Sequence, residues 1–286
     1  MKLSEIEKEG SGFKYQLQDN ESLGAAFITL RLALKSWFCT HEPERYPSYN
    51  RLWANGGEGS QGEYSREYCE LYVQTIVHLQ HFCELIFQDI LRREHPLLAD
   101  KAGNKDVVLY KLLKGQQLSN EESNELGSIN FNEAKRRVFN LIDKDCLTQH
   151  VELGFLINHK KMFTVINDLR NRILHRGLYI LKPEALDSLV ANSFLPFMNK
   201  LISLEPYLNY ESHWKYIAPA SGLDPIDEIC IEAGQGKITS NKFKFFKELG
   251  RAAYFNPLHI IPEKGMKTGF SPKPVEDYIN EKILMS

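Results

Sequence analysis

The sequence predicts a mainly α protein, a helical bundle with a long insertion and a less regular C-terminal appendage. Three observations predict it. Leu23, Phe27, Leu30, Leu34 and Trp37 recur at helical spacing. A longer apolar stretch up to His95 is closed by Pro96, which cannot continue a helix. A third periodic stretch ends on Arg176 and then Gly177, a basic last turn followed by the residue that most readily closes a helix.

The elements follow in order. The first helix runs from about Ser22, a suitable cap, to Cys39. Residues 41–62 form a loop, with Pro43, Pro47 and glycines from Gly56 to Gly62. Its Arg45, Tyr46, Tyr49, Arg51 and Trp53 suit either a single-strand contact or a loop held down by aromatics. The second helix, about Glu63–His95, is the longest and most apolar, which places it at the centre of the bundle. Residues 97–130 read as an insertion with a short helix at Val107–Leu113 and a polar stretch at Ser119–Gly127. A third helix spans about Phe131–Ile142 and is basic at Lys135, Arg136 and Arg137. The fourth, about Asn158–Arg176, is followed by a fifth that starts on Pro183 and runs to about Leu204, kinked at Pro196. The bundle is therefore expected over residues 1–208. Residues 209–286 form the appendage, which shows no convincing long helix apart from a candidate at Asn241–Tyr254.

The 286 residues suffice for one large core or a core plus an appendage. A composition of 43% hydrophobic and 25% charged residues is that of a soluble globular protein. The net charge of -2 gives no global basic field, so any nucleic-acid site must be local. Cys39, Cys69, Cys83, Cys146 and Cys230 are odd in number and scattered, without metal-ligand spacing. They fit thiols in a reducing cytoplasm, and a cytoplasmic location is expected. The N-terminal residues lack an apolar signal core, and no uncharged run reaches membrane-span length, so no membrane partner is expected.

The sharpest feature is Asp168-Leu169-Arg170-Asn171-Arg172-Ile173-Leu174-His175-Arg176-Gly177. On a helix, Met162, Ile166, Leu169 and Ile173 gather on one stripe that must face the core. With His175 as zero, Asp168 lies about 20° away and Asn171 about 40° away, on a polar stripe roughly opposite. Arg170 is about 140° off, so it meets a His175 through its long side chain or across a second helix. An imidazole near neutrality can move the proton of a ribose 2′-OH. A guanidinium can grip a phosphate and stabilise the charge that grows on it. Neither role needs a metal or cofactor. Across residues 155–182, Lys160, Lys161, Arg170, Arg172, Arg176 and Lys182 face the single acid Asp168, a local net charge of +5 that suits an RNA backbone. The same charges also complement the helix's own dipole.

This Arg-Asn-x-x-x-His motif, late in a helical domain and followed by Arg-Gly, resembles the signature of the HEPN family. The resemblance covers roughly residues 15–205 and implies a helical bundle that dimerises and joins two motifs in one cleft. It implies a metal-independent endoribonuclease that leaves a 2′,3′-cyclic phosphate, with Arg170 and His175 catalytic, Asn171 assisting, and Glu84 contributed by the early helix. It also implies a toxin or antiviral-defence (abortive infection) role, with a regulatory or antitoxin protein as partner. Arg172, Arg176, Lys160 and Lys161 are the expected RNA contacts. One toxin subgroup has a Tyr two residues after the His as a modification site. Here that position is Gly177 and the nearest Tyr is Tyr179, which puts that control in doubt.

Other readings stay beside this one. The same bundle suits a non-catalytic module that binds RNA, a nucleotide or protein, or an assembly subunit whose motif packs at a dimer interface. His78 and His81 share a helix face but lack a third ligand at suitable spacing, so no metal site is expected. Glu232–Lys237 lacks the glycine spacing of a phosphate loop and reads as a turn. Lys242, Lys244, Lys247 and Arg251 interleave with Phe243, Phe245, Phe246 and Tyr254, which reads as an amphipathic helix docked on the bundle rather than an RNA-contacting one.

Overall fold

The computed structural model describes residues 21–40, 66–103, 105–119, 122, 126–177, 179–216 and 223–255. The loop 41–62, the ends of the chain and the expected helix start at 63–65 lie outside them. The fold is mainly α. The helices are α1 (Glu21–Cys39), α2 (Arg66–Glu94), α3 (Pro96–Ala99), α4 (Asp106–Leu113), α5 (Phe131–Asp143), α6 (His150–Leu153), α7 (Lys160–His175), α8 (Pro183–Leu189), α9 (Leu195–Ile202), α10 (Glu211–Trp214), α11 (Pro225–Gly234) and α12 (Asn241–Phe255).

The 29-residue α2 is the axis of the bundle, about 43 Å long. It is buried on most sides because Tyr72, Ile76, Leu79, Phe82, Ile86, Phe87 and Leu91 leave little polar surface. Along one side lies α1, which buries Leu23, Phe27, Leu30, Leu34 and Trp37 at helical spacing. On another, Phe87 packs edge-on against Phe163 of α7 at 4.9 Å and against Phe139 of α5 at 5.9 Å. The other end of α7 lies near Tyr72, whose hydroxyl senses the charge of Arg172. So α7 runs antiparallel to α2, and its motif end points toward the N-terminal end of α2.

Pro96 stops α2 but also starts a new turn, α3, capped by the His95 ring, which accepts from the Leu97 N–H. The insertion is pinned at its root by the two-residue antiparallel pair Asp100–Lys101 with Gly127–Ser128, and Arg92 bridges Asp100 at 2.8 Å. It carries a small core of its own around Ala102, Val108 and Leu112. At the expected kink the chain forms a π-turn, Val190–Phe194, between α8 and α9. Pro196 has no N–H for the Asn192 carbonyl, and the widened turn accommodates this without breaking the helix.

The less regular appendage expected from 209 onward differs from its described part. There the helix expected at Asn241–Tyr254 is present as α12, α11 is a second regular helix that was not expected, and Ile226, Ile229, Phe243, Phe246 and Tyr254 enter the same core as the bundle. The physical reason is local chemistry in a short space. Asp224 caps the ten-residue α11 by accepting from the Ile226 N–H at 2.9 Å, and Ser240 accepts from the Phe243 N–H at 3.0 Å to start α12. The docked reading of α12 holds further inward than expected. Lys247 is 1% exposed, ion-paired to Asp187 of α8 and donating to Thr40 Oγ1 at 2.7 Å. Asp187 also accepts from the Trp37 indole at 2.9 Å. The Glu232–Lys237 segment is the end of α11 and a turn, with Gly236 at φ +72°.

Candidate functional site

The motif helix starts later than its periodicity suggests. Residues Gly154–His159 wind as a 3-10 helix, and α7 proper begins at Lys160. Its other end is as expected. Arg176 closes the last turn by donating its N–H to the Arg172 carbonyl at 3.1 Å, and Gly177 turns the chain with φ +87°. Met162, Ile166, Leu169 and Ile173 are buried, as the apolar stripe requires.

What covers the polar stripe is α5, and it covers only part. Asn167 Nδ2 donates to Asn132 Oδ1 at 3.3 Å, Lys135 Nζ to Thr164 Oγ1 at 3.2 Å, and Lys160 reaches Asp143 at 3.5 Å. These pairs run antiparallel, so the start of α5 is level with Asn167. His175 lies eight residues, about 12 Å, beyond that level. His175 is exposed and Asn171 half-buried past the end of the covering helix. Asp168, also exposed, feels the ammonium of Lys135, which burial holds below the usual lysine range.

Arg170 leaves the helix about 20° from Phe163, beside the face that meets α2. It is half-buried and bends back to donate Nη1–H to Asn171 Oδ1 at 3.2 Å. Within one chain it does not meet His175. Among the described residues His175 has no hydrogen bond or ion pair. Glu84 sits on the flank of α2 next to the Phe87 stripe, half-buried and accepting from Gln80 Nε2 at 3.0 Å. No described contact joins it to Arg170, Asn171 or His175.

The expected RNA contacts are spread out. Arg172 and Arg176 are exposed at the motif end, but Lys160 and Lys161 start the helix, about 22 Å from His175. Lys160 is committed to Asp143 and lies over the Phe139 ring at 4.8 Å. The positive charge near the motif end is therefore Arg170, Arg172 and Arg176, with Lys182 on the irregular segment that follows.

Two features at this end were not singled out by sequence. The Arg172 guanidinium stacks over the ring of Tyr179 at 5.1 Å. Leu174 and Tyr179 are 49% and 50% exposed beside His175. Beneath them, Tyr68 donates to the Leu181 carbonyl at 2.7 Å and fastens the returning chain to α2. Burial of the neighbouring Tyr72 hydroxyl, which faces the Leu181 backbone, pushes its phenol up to about 12. His78 is half-buried, its Nδ1 unpartnered, and burial together with His81 pushes its imidazole down. Among the described residues no three His, Cys, Asp or Glu side chains gather as a metal site, and no helix is long and apolar enough to cross a membrane.

No protein-family model, curated protein or solved structure matches the chain.

Proposed function

We propose that this chain is a metal-independent endoribonuclease of the HEPN type, acting as a homodimer in a toxin or antiviral-defence role. One observation carries the reading. His175 stands exposed and Asn171 half-buried beyond the start of α5, with the apolar Leu174 and Tyr179 exposed at the same end of α7, while Arg170 leaves the helix about 140° away. A polar stripe flanked by exposed apolar groups is a surface that a second copy can close over. In that arrangement the His175 of one copy takes the ribose 2′-OH proton, and the alkoxide attacks the adjacent phosphorus. The Arg170 of the other stabilises the charge on the phosphoryl oxygens. The 5′-oxygen leaves, giving a 2′,3′-cyclic phosphate. Arg172 and Arg176 hold the flanking backbone.

Binding without cleavage is favoured by a different observation: no described side chain orients the His175 ring, as a general base usually requires. The deciding experiment is cleavage of total RNA and tRNA in excess EDTA, with His175→Ala in parallel. Cleavage by the wild type alone supports the enzyme. RNA retention with no cleavage by either, both proteins being folded, supports the binding module.

A further inference from the structure

At the far end of α2 from the motif lies a cavity of about 380 Å³ between α9, α10 and α11, within the size range of small-ligand sites. Its distance from the motif follows from α2. Tyr207, which lines the cavity, donates to Asp89 Oδ2 at 3.3 Å. Asp89 lies 17 residues beyond Tyr72, the α2 residue near Arg172, and so about 25 Å along the helix.

The lining is uneven in charge. Glu211, Asp224 and Asp227 face the single cation Lys215. Lys215 is already taken, by Glu211 at 2.5 Å and Asp224 at 3.9 Å. Asp224 is further used by the Tyr216 hydroxyl and the Ile226 N–H. Asp227 has no hydrogen bond or ion pair among the described residues. Asp227 is exposed at the cavity, and desolvation and the neighbouring Asp224 push its carboxyl upward against the pull of Lys215.

A second, independent observation comes from the wall. Trp214 is 4% exposed and lines the cavity, yet its indole N–H donates to nothing among the described residues. A buried indole N–H ordinarily has an acceptor. Its Nε1 is not sealed from the surface and Trp214 lines the cavity, so an acceptor bound there can reach it.

We infer that this cavity is a binding site for a small organic cation, an amine or guanidinium that also carries a hydrogen-bond acceptor. Asp227 receives the cationic head. The Trp214 N–H donates to the acceptor, and the Trp214 and Tyr207 rings supply the apolar wall against which the cation rests. Glu211 and Asp224 stay with Lys215 and set the negative field. Because the site stands about 25 Å from the motif, its occupation does not depend on the nuclease reading.

The test is calorimetric titration of the whole chain with L-argininamide, which has a guanidinium and a carbonyl acceptor, and with glutarate as the opposite charge. Binding of argininamide and not of glutarate is expected. Asp227→Asn should weaken it about tenfold or more, the loss expected for one charge-assisted hydrogen bond. Trp214→Phe, which keeps the ring and removes the donor, should weaken it by a smaller factor. Argininamide binding unchanged in Asp227→Asn would place the cation elsewhere and overturn the assignment. So would the absence of any heat with argininamide at millimolar concentration.

Discussion

If the site is shared between two copies, Arg170→Ala and His175→Ala must rescue each other. The geometry fixes how much. The two side chains are five residues apart on α7, about 140° around the axis and about 7.5 Å along it. They leave different flanks of a rod about 10 Å wide, and Arg170 is turned toward Asn171 rather than His175. A site made of one copy's Arg170 and the other's His175 occurs twice per dimer. In a mixed dimer one of these sites carries both substitutions and the other carries neither. Each pure variant should be inactive. Random reassortment of equal amounts makes half the dimers mixed, with one intact site in two, so the mixture should recover about a quarter of wild-type activity. Mixed dimers isolated through two different affinity tags should reach about half. The assay is RNA cleavage after co-refolding, with circular dichroism to show that each variant folds. His175 is exposed and Arg170 half-buried at the edge of the helix, with neither in the core, so folding should survive. An active wild type whose mixed dimer is dead would refute the shared site and place Arg170 and His175 in one site of a single chain.

Three further predictions concern the fold that carries the site. Lys247→Met removes the cation from the buried Asp187, leaving that carboxylate only the Trp37 N–H, and should cost about 3–5 kcal/mol in denaturant melts. Without the ammonium, burial raises the Asp187 carboxyl further, so its folded value exceeds its unfolded value of about 3.9. The penalty is then greatest at neutral pH and shrinks as pH falls, and a pH-independent loss would show that Asp187 is not the cause. Gly250→Ala places a Cβ 2.1 Å from the buried ring of Phe38. The clash should outweigh the helix-propensity gain of about 1 kcal/mol, leaving a net loss measured by thermal melting. His159 lies 5.7 Å from the Phe197 ring, and burial lowers its imidazole. A lowered value means stability is lost as pH falls through it, so His159→Phe should lose less stability than wild type between pH 7 and pH 5 in urea melts.

The long elements were legible because their burial is periodic. Leu23, Phe27, Leu30, Leu34 and Trp37 mark α1, and Met162, Ile166, Leu169 and Ile173 mark the buried face of α7. The stops were legible where a residue has only one conformational use, as Gly177 does at φ +87°. Pro96 shows the limit of such a signal. It excludes continuation of α2 but does not say whether a new helix starts, and the His95 cap decides that it does. The docking of α12 on the bundle was legible, but not how deeply it enters the core. It rests on Lys247 meeting Asp187, 60 residues apart, and a lysine among phenylalanines looks in sequence like the solvated edge of an amphipathic helix.

At the site, sequence gives an angular order on one helix but says nothing about what packs across it. The wheel places His175, Asn171 and Asp168 together, and they do share a flank of α7. It does not reveal that α5 starts level with Asn167, which is what leaves the last turn of α7 bare. It also counts Lys160 and Arg176 alike in a local charge of +5, although about 24 Å of helix separates them and Asp143 neutralises the first. The basic surface that matters is therefore narrower than the sequence suggests, three arginines around one exposed imidazole. That narrowing bears on substrate choice. Under the proposed nuclease reading few phosphates can be held by so small a patch, so affinity for RNA would come largely from doubling it. In the proposed dimer a second copy of the chain would supply that doubling through the same contact that brings its Arg170 to His175.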